Sequence, residues 1–186
     1  MPVVEAHILE GYGDGEKARL TSALTDAVRF VVPAPDDAIT VLLHEYPAEA
    51  YARGGRHRQP APAAPDPTVL VKNYLAAMEA RDLAAAQAFL GDEFETVFPG
   101  SQPMKSLTEV VDWAKGRYRF VKKKGEVIEA FHNGRVSVVY VRGVLFGEWP
   151  DGSPFDGIRF IDRFEVRGGR IARQDVWNDI AEVRAQ

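Results

Sequence analysis

Gly157-Ile158-Arg159-Phe160-Ile161-Asp162-Arg163-Phe164-Glu165-Val166 alternates along its length, and that alternation decides how the larger part of the chain is read. Successive side chains of a strand point to opposite faces. One face therefore carries Ile158, Phe160, Asp162, Phe164 and Val166, while Arg159, Arg163, Glu165 and Arg167 lie mostly on the other. Asp162 is a lone carboxylate in an apolar row. A buried carboxylate is costly unless it is paired or protonated. Asp162 is thus either a satisfied structural group, bonded to Arg142, Tyr140 or Trp177, or an acid/base facing a cavity.

The strand has neighbours of the same kind. Residues 118–131, 135–149, 155–167 and 170–178 read as long strands. The turns between them are His132-Asn133-Gly134, Pro150-Asp151-Gly152 and Gly168-Gly169. Turns this tight make the pairing antiparallel. Helical spacing precedes them: residues 68–80 place Val69, Leu70, Tyr74, Leu75 and Met78 on one side, and a shorter helix runs from Asp82 to Leu90. Residues 93–98 form a short strand, and Ser106-Leu107-Thr108-Glu109 is a capping box opening a helix through about Arg117. Helices first and a curved antiparallel sheet after make an α+β domain.

The first sixty residues follow another pattern. Residues 3–9 are strand-like, Gly11 to Gly15 is a turn cluster with Asp14 as helix N-cap, and Leu20, Leu24, Ala27, Val28 and Val31 recur at helical spacing. Pro33 and Pro35 stop that helix, and residues 39–45 form a second strand. Strand, helix and strand at these lengths make a βαβ unit with parallel strands. A unit this small covers one face of its sheet only. The other face is expected to pack on another copy, which makes a homo-oligomer. Residues 59–67, Gln-Pro-Ala-Pro-Ala-Ala-Pro-Asp-Pro, form an extended linker. The expected division is 1–58, linker 59–67, and 68–186, an α+β protein overall.

Composition narrows the function. The chain has 186 residues, 46% of them hydrophobic, a net charge of -4 and no cysteine. Thiol catalysis and Cys-ligated metal are excluded, and a cytoplasmic protein is expected. Mild charge gives no reason to expect nucleic acid, and the runs from Arg53 to Arg58 and Lys122-Lys123-Lys124 read as solvated surface. No apolar run suffices to span a membrane, and no signal-peptide pattern precedes Glu5 and His7. His132 falls in a turn, and His44 and His57 offer no metal-ligand spacing with carboxylates, so no metal site and no cofactor are read from the sequence.

Pro2 adds chemistry. If Met1 is removed, the chain begins with a secondary amine at the head of a strand. Model α-amines titrate near 7.7–8.0, where modest desolvation or nearby cations make an effective base for carbon acids. Pro2, the strand ending His7-Ile8-Leu9-Glu10-Gly11, Lys17, Val41-Leu42-Leu43-His44-Glu45 and Gly54-Gly55 together resemble the tautomerase superfamily typified by 4-oxalocrotonate tautomerase. The resemblance implies that Pro2 moves a proton between oxygen and carbon of an enol or enone. The positions of the family's two carboxylate-binding arginines read Tyr12 and Thr40, and its aromatic wall matches Tyr51. A dicarboxylate substrate is therefore not expected, unless Arg53 or Arg56 substitutes. Asp36 resembles the water-activating aspartate of the malonate-semialdehyde decarboxylase branch, but reads first as a turn or strand cap after two prolines.

Gly157 to Val166, followed by Gly169-Arg170-Ile171 and Asp175-Val176-Trp177, resembles the nuclear transport factor 2-like cone, specifically its SnoaL-like, polyketide-cyclase-related members. Several catalytic relatives of that kind carry a His-Asp dyad on the last strand. Here one register puts Gln174 and Val176 there, while Asp175 serves only if it faces inward. Three functions follow. The first is a tautomerase-like isomerase acting through Pro2 on a small enol or carbonyl substrate, with the cone binding or further transforming a hydrophobic substrate through Trp177 and Asp175. The second is cyclase, dehydratase or isomerase chemistry in the cone at Asp162 or Asp175, over an oligomerisation platform. The third is a non-catalytic ligand-binding and assembly protein.

Overall fold

The computed structural model describes residues 1–184. By its internal contacts the chain divides into Met1–Ala63 and a second unit beginning at Ala64.

In the first unit, β1 (Val3–Leu9) and β2 (Thr40–Tyr46) pair in parallel, from Val3 opposite Thr40 to Leu9 opposite Tyr46. Helix α1 (Asp14–Arg29) joins them. Its N-cap is Gly13 rather than Asp14, which instead sits in the first turn, where an acid suits the helix dipole. The helix also ends at Arg29, short of Val31, the last position at helical spacing. The residue preceding a proline is disfavoured in helical conformation, so Pro33 unwinds the chain ahead of it. Phe30 and Val31 are left exposed. Lys17 Nζ ties the helix to Glu45 on β2 at 3.1 Å. No residue of α1 is fully buried, and Val3 and Leu42 are exposed on the sheet face the helix does not cover. The two-residue strands β3 (Ala52–Arg53) and β4 (Arg56–His57) close a hairpin through Gly54 and Gly55. Both glycines have positive φ, which suits the two-residue hairpin turn.

In the second unit, α2 (Pro67–Glu79) starts at Asp66, whose carboxylate accepts from the Thr68 and Val69 amides. Proline at its first position loses no helical hydrogen bond. Helix α3 (Leu83–Gln87) is capped by Asp82 and stops short of Leu90, which instead opens β5 (Leu90–Val97). Ser106 caps α4 (Leu107–Ala114) by accepting from the Glu109 amide, and Glu109 accepts from the Lys105 amide, one residue earlier than the usual box. Strands β6 (Phe120–His132), β7 (Ser137–Glu148), β8 (Pro154–Arg167) and β9 (Arg170–Asn178) run antiparallel in sequence. The sheet order is β5-β9-β8-β7-β6, and β5 joins β9 in parallel, a pairing the local turns do not encode. A short helix, α5 (Ile180–Arg184), follows. No described helix is long and apolar enough to cross a membrane.

The core lies where α2 and α3 meet one face of this sheet. It includes Val71, Tyr74, Val139, Val141, Ile158, Phe164 and Ile171, all at or near zero exposure. The sheet bends at register shifts. One lies between Lys124 and Val127, where Gly125 has φ 64°. Another lies between Leu145 and Gly147. Bending brings backbone close: a Cβ on Gly147 would collide with the Phe120 carbonyl oxygen and lie 2.8 Å from the Phe155 ring. Backbone cannot swing aside as a flexible side chain can. Gly147→Ala is therefore expected to cost about 1–3 kcal/mol, the usual penalty of overpacking, read as a lowered urea midpoint.

Candidate functional site

In the second unit the strand alternation holds. Ile158, Phe160, Asp162, Phe164 and Val166 are all buried. Asp162 is 1% exposed, and its partner is none of Arg142, Tyr140 or Trp177. Arg142 reaches Glu129, Tyr140 bonds Arg163, and Trp177 lies on the opposite sheet face. Instead Lys123 on β6 places Nζ 2.5 Å from Asp162 Oδ2, and 4.7 Å from the centroid of Phe160. Lys123 was expected on the surface with its basic neighbours. It points inward with Val121, and the shift at Gly125 then reverses the strand's facing so that Ile128 packs inward too.

A second arm reaches the same oxygen. The Tyr74 hydroxyl donates to Gln174 Oε1 at 3.3 Å, and Gln174 Nε2 faces Asp162 Oδ2 at 3.5 Å. Burial pushes the Tyr74 phenol well above its ordinary range, and the Asp162 charge pushes it further. Tyr74 therefore stays a proton donor. Asp162 Oδ1 is buried with no hydrogen-bond partner, as is Thr96 Oγ1 on β5. The carboxylate has one oxygen held by a cation and an amide, and one buried without a partner. A carboxylate oxygen so placed is an acceptor for a proton or a hydrogen bond.

Strand β9 takes the register with Gln174 and Val176 inward. Asp175 faces the other side, held by Arg173 Nε at 2.9–3.0 Å and by Arg163 at 3.4 Å. Glu165 and Glu95 complete that charged row through Arg163 and Arg173. Asp175 and Trp177 line a depression of about 270 Å³ with Val97, Phe98, Pro99, Val176 and Asn178. Asp162 is not part of its wall.

In the first unit Pro2 is half-buried at the head of β1, and its carbonyl accepts from the Thr40 amide at 3.0 Å. Asp36 lies just before β2 and pairs with Arg29 at 2.9 Å. Parallel strands put these residues at one end of the sheet. Tyr12, Tyr51 and Arg53 follow the other ends of β1 and β2. At about 3.3 Å per residue, the seven residues of β1 hold the two ends roughly 20 Å apart. A single chain therefore does not bring Pro2 together with Tyr12 and Tyr51. The Tyr12 hydroxyl donates instead to the Ala61 carbonyl at 3.0 Å, and Arg53 is exposed in its hairpin. His44, without ligand spacing in the linear sequence, lies opposite His7 across the parallel pair.

Sequence patterning alone does not mark Lys123, Tyr74 or Thr96 as site residues, and it gives Gln174 only as the dyad position in one register of the last strand. Parity along residues 121–123 would have found Lys123. Tyr74 was visible only as one apolar position of its helix.

Two family matches emerge on comparison with known proteins. A SnoaL-like domain matches residues 71–174, more than half of the chain. The tautomerase enzyme family matches residues 2–57. Among solved structures, the chain is similar to a candidate polyketide cyclase from Xanthomonas campestris pv. campestris, at 22% identity and TM-score 0.56, over 64% of this chain and 94% of that one. It is similar to TerC, co-crystallised with polyporic acid, at 14% identity and TM-score 0.53, over 64% and 97%. An NTF2-like protein of unknown function from Burkholderia pseudomallei is 16% identical with TM-score 0.52, over 63% and 93%. At such identities the likeness is one of fold. No curated protein matches the chain.

Proposed function

Because the chain belongs to the SnoaL-like domain family through residues 71–174 and carries a tautomerase segment over residues 2–57, we propose that it is a cofactor-independent isomerase of an enol or unsaturated carbonyl compound, with the N-terminal proline as base. The pairing of families supports isomerase- or cyclase-type catalysis in general. The observation that carries the finer reading is the setting of Pro2. It heads β1 at the start of the matched segment, and the Thr40 amide fixes its carbonyl. Once Met1 is removed, the free amine takes the hydroxyl proton of the enol, and the resulting ammonium delivers a proton to the substrate's carbon. No electrons leave the substrate, and the amine is regenerated. Thr40 and Asp36 share this end of the sheet. Tyr12, Tyr51 and Arg53 contribute only from another copy of the chain. The cone binds or further transforms a hydrophobic substrate.

The unpartnered Oδ1 of Asp162 favours a second reading, in which the cone carries the chemistry. Here Asp162 accepts the proton, while Lys123 and Gln174 hold its other oxygen. Ketonisation of phenylenolpyruvate, a monocarboxylate enol, by the wild type, Pro2→Ala and Asp162→Asn separates the two. Loss with Pro2→Ala alone supports the proline mechanism. Loss with Asp162→Asn alone supports the cone. If no enol turns over while the cone still binds hydrophobic ligands, both fail and a ligand-binding assembly protein remains.

A further inference from the structure

We infer that Glu5, His7 and His44, on the sheet face left open by α1, form a binding site for a divalent cation of the zinc class. Strand register creates the cluster. His7 and His44 are directly opposed on β1 and β2, and Glu5 precedes His7 by two residues on the same face. One ligand atom from each of the three lies within 4.8 Å of the other two. The imidazole rings stack with centroids 4.7 Å apart and planes 14° from parallel. His44 Nε2 is shielded from solvent, has no hydrogen-bond partner, and faces Glu5 Oε2 at 3.8 Å. That gap is too long for a hydrogen bond. Two ligands 2.0–2.1 Å from one tetrahedral ion stand about 3.3 Å apart, so a small side-chain rotation closes the gap.

The outer contacts fit the same role. His7 Nδ1 lies 2.9 Å from the Tyr46 hydroxyl. A hydroxyl on one ring nitrogen fixes the ring and leaves the other nitrogen for a metal. Two imidazoles and one carboxylate suit zinc and its neighbours better than calcium or magnesium, which prefer all-oxygen sets. Three protein ligands leave one position open to water or a small anion. The site is separate from Pro2, since five residue steps of strand, roughly 16 Å, separate Pro2 from His7 and three steps, roughly 10 Å, separate it from Glu5. The rival explanation is a plain ion pair between Glu5 and a protonated His44.

Titrating the full chain with Co²⁺ distinguishes the two through the visible bands of a protein-bound ion, with Zn²⁺ displacing the signal. Saturation at one ion per chain is expected. Glu5→Gln, His7→Gln and His44→Gln should each weaken binding at least tenfold. His57→Gln and His132→Gln, the two remaining histidines, should leave it unchanged. Circular dichroism identifies any variant that has unfolded. Should the histidine variants unfold, wild type and Glu5→Gln still decide the matter. No saturable binding by wild type at millimolar Co²⁺, undiminished binding by a folded Glu5→Gln, or loss with His57→Gln overturns the site.

Discussion

Lys123→Met is expected to lower the unfolding free energy by about 3–5 kcal/mol, the range measured when one member of a buried ion pair is removed. The reason is an asymmetry in burial. The Asp162 side chain is 1% exposed, while that of Lys123 is 21% exposed. Without Lys123, the carboxylate keeps only Gln174 Nε2 at 3.5 Å, and its Oδ1 already lacks a partner. Without Asp162, the lysine can turn its ammonium toward water, so Asp162→Asn should cost distinctly less. The double variant Lys123→Met/Asp162→Asn should recover a large part of the loss, because no charge then remains to be buried. Urea denaturation of the four proteins gives the cycle. A loss under about 1 kcal/mol, or one equal to that of Asp162→Asn, would show that water reaches the pair.

The pair also marks where the sequence stops being informative. Alternation through residues 158–166 identified Asp162 as buried, because a period of two needs only the local chain. Its partner lies 39 residues away on a strand whose facing changes at Gly125. A register shift obeys no hydrophobic period, so Lys123 read as part of a basic run. The antiparallel strands were legible from their turns, whereas the parallel β5–β9 contact was not, since no short turn encodes it. The inward register of Gln174 and Val176 had been one of two readings, and packing decided it. The first unit shows the same limit. Its βαβ order was plain from proline, glycine and helical spacing. That Tyr12 and Tyr51 stand at the opposite end from Pro2 follows only once the strands are known to be parallel and in register. Glu5, His7 and His44 were likewise scattered until the pairing joined them.

Retention of Met1 is expected to reduce kcat/KM for enol ketonisation by about 10²- to 10⁴-fold, the contribution typical of a positioned general base. At 1.36 kcal/mol per factor of ten, this is roughly 3–5 kcal/mol in barrier. An amide nitrogen cannot accept the proton, because its lone pair is committed to the peptide bond. Pro2→Ala should lose less when Met1 is removed, since alanine still presents an amine at the same end of β1. Intact mass must therefore accompany each rate. With the free amine as base, kcat/KM should rise with pH as the ammonium loses its proton, near the 7.7–8.0 of an ordinary α-amine. Protein retaining Met1 should lack that limb. Geometry adds a further condition. Because Tyr12 and Tyr51 lie a strand's length from Pro2, a pocket containing all three needs residues from more than one chain. The rate per chain should then fall on dilution as copies separate, and sedimentation across the same concentrations should show the same transition. Full activity with Met1 retained would remove Pro2 from the mechanism and leave the Asp162 carboxylate as the base.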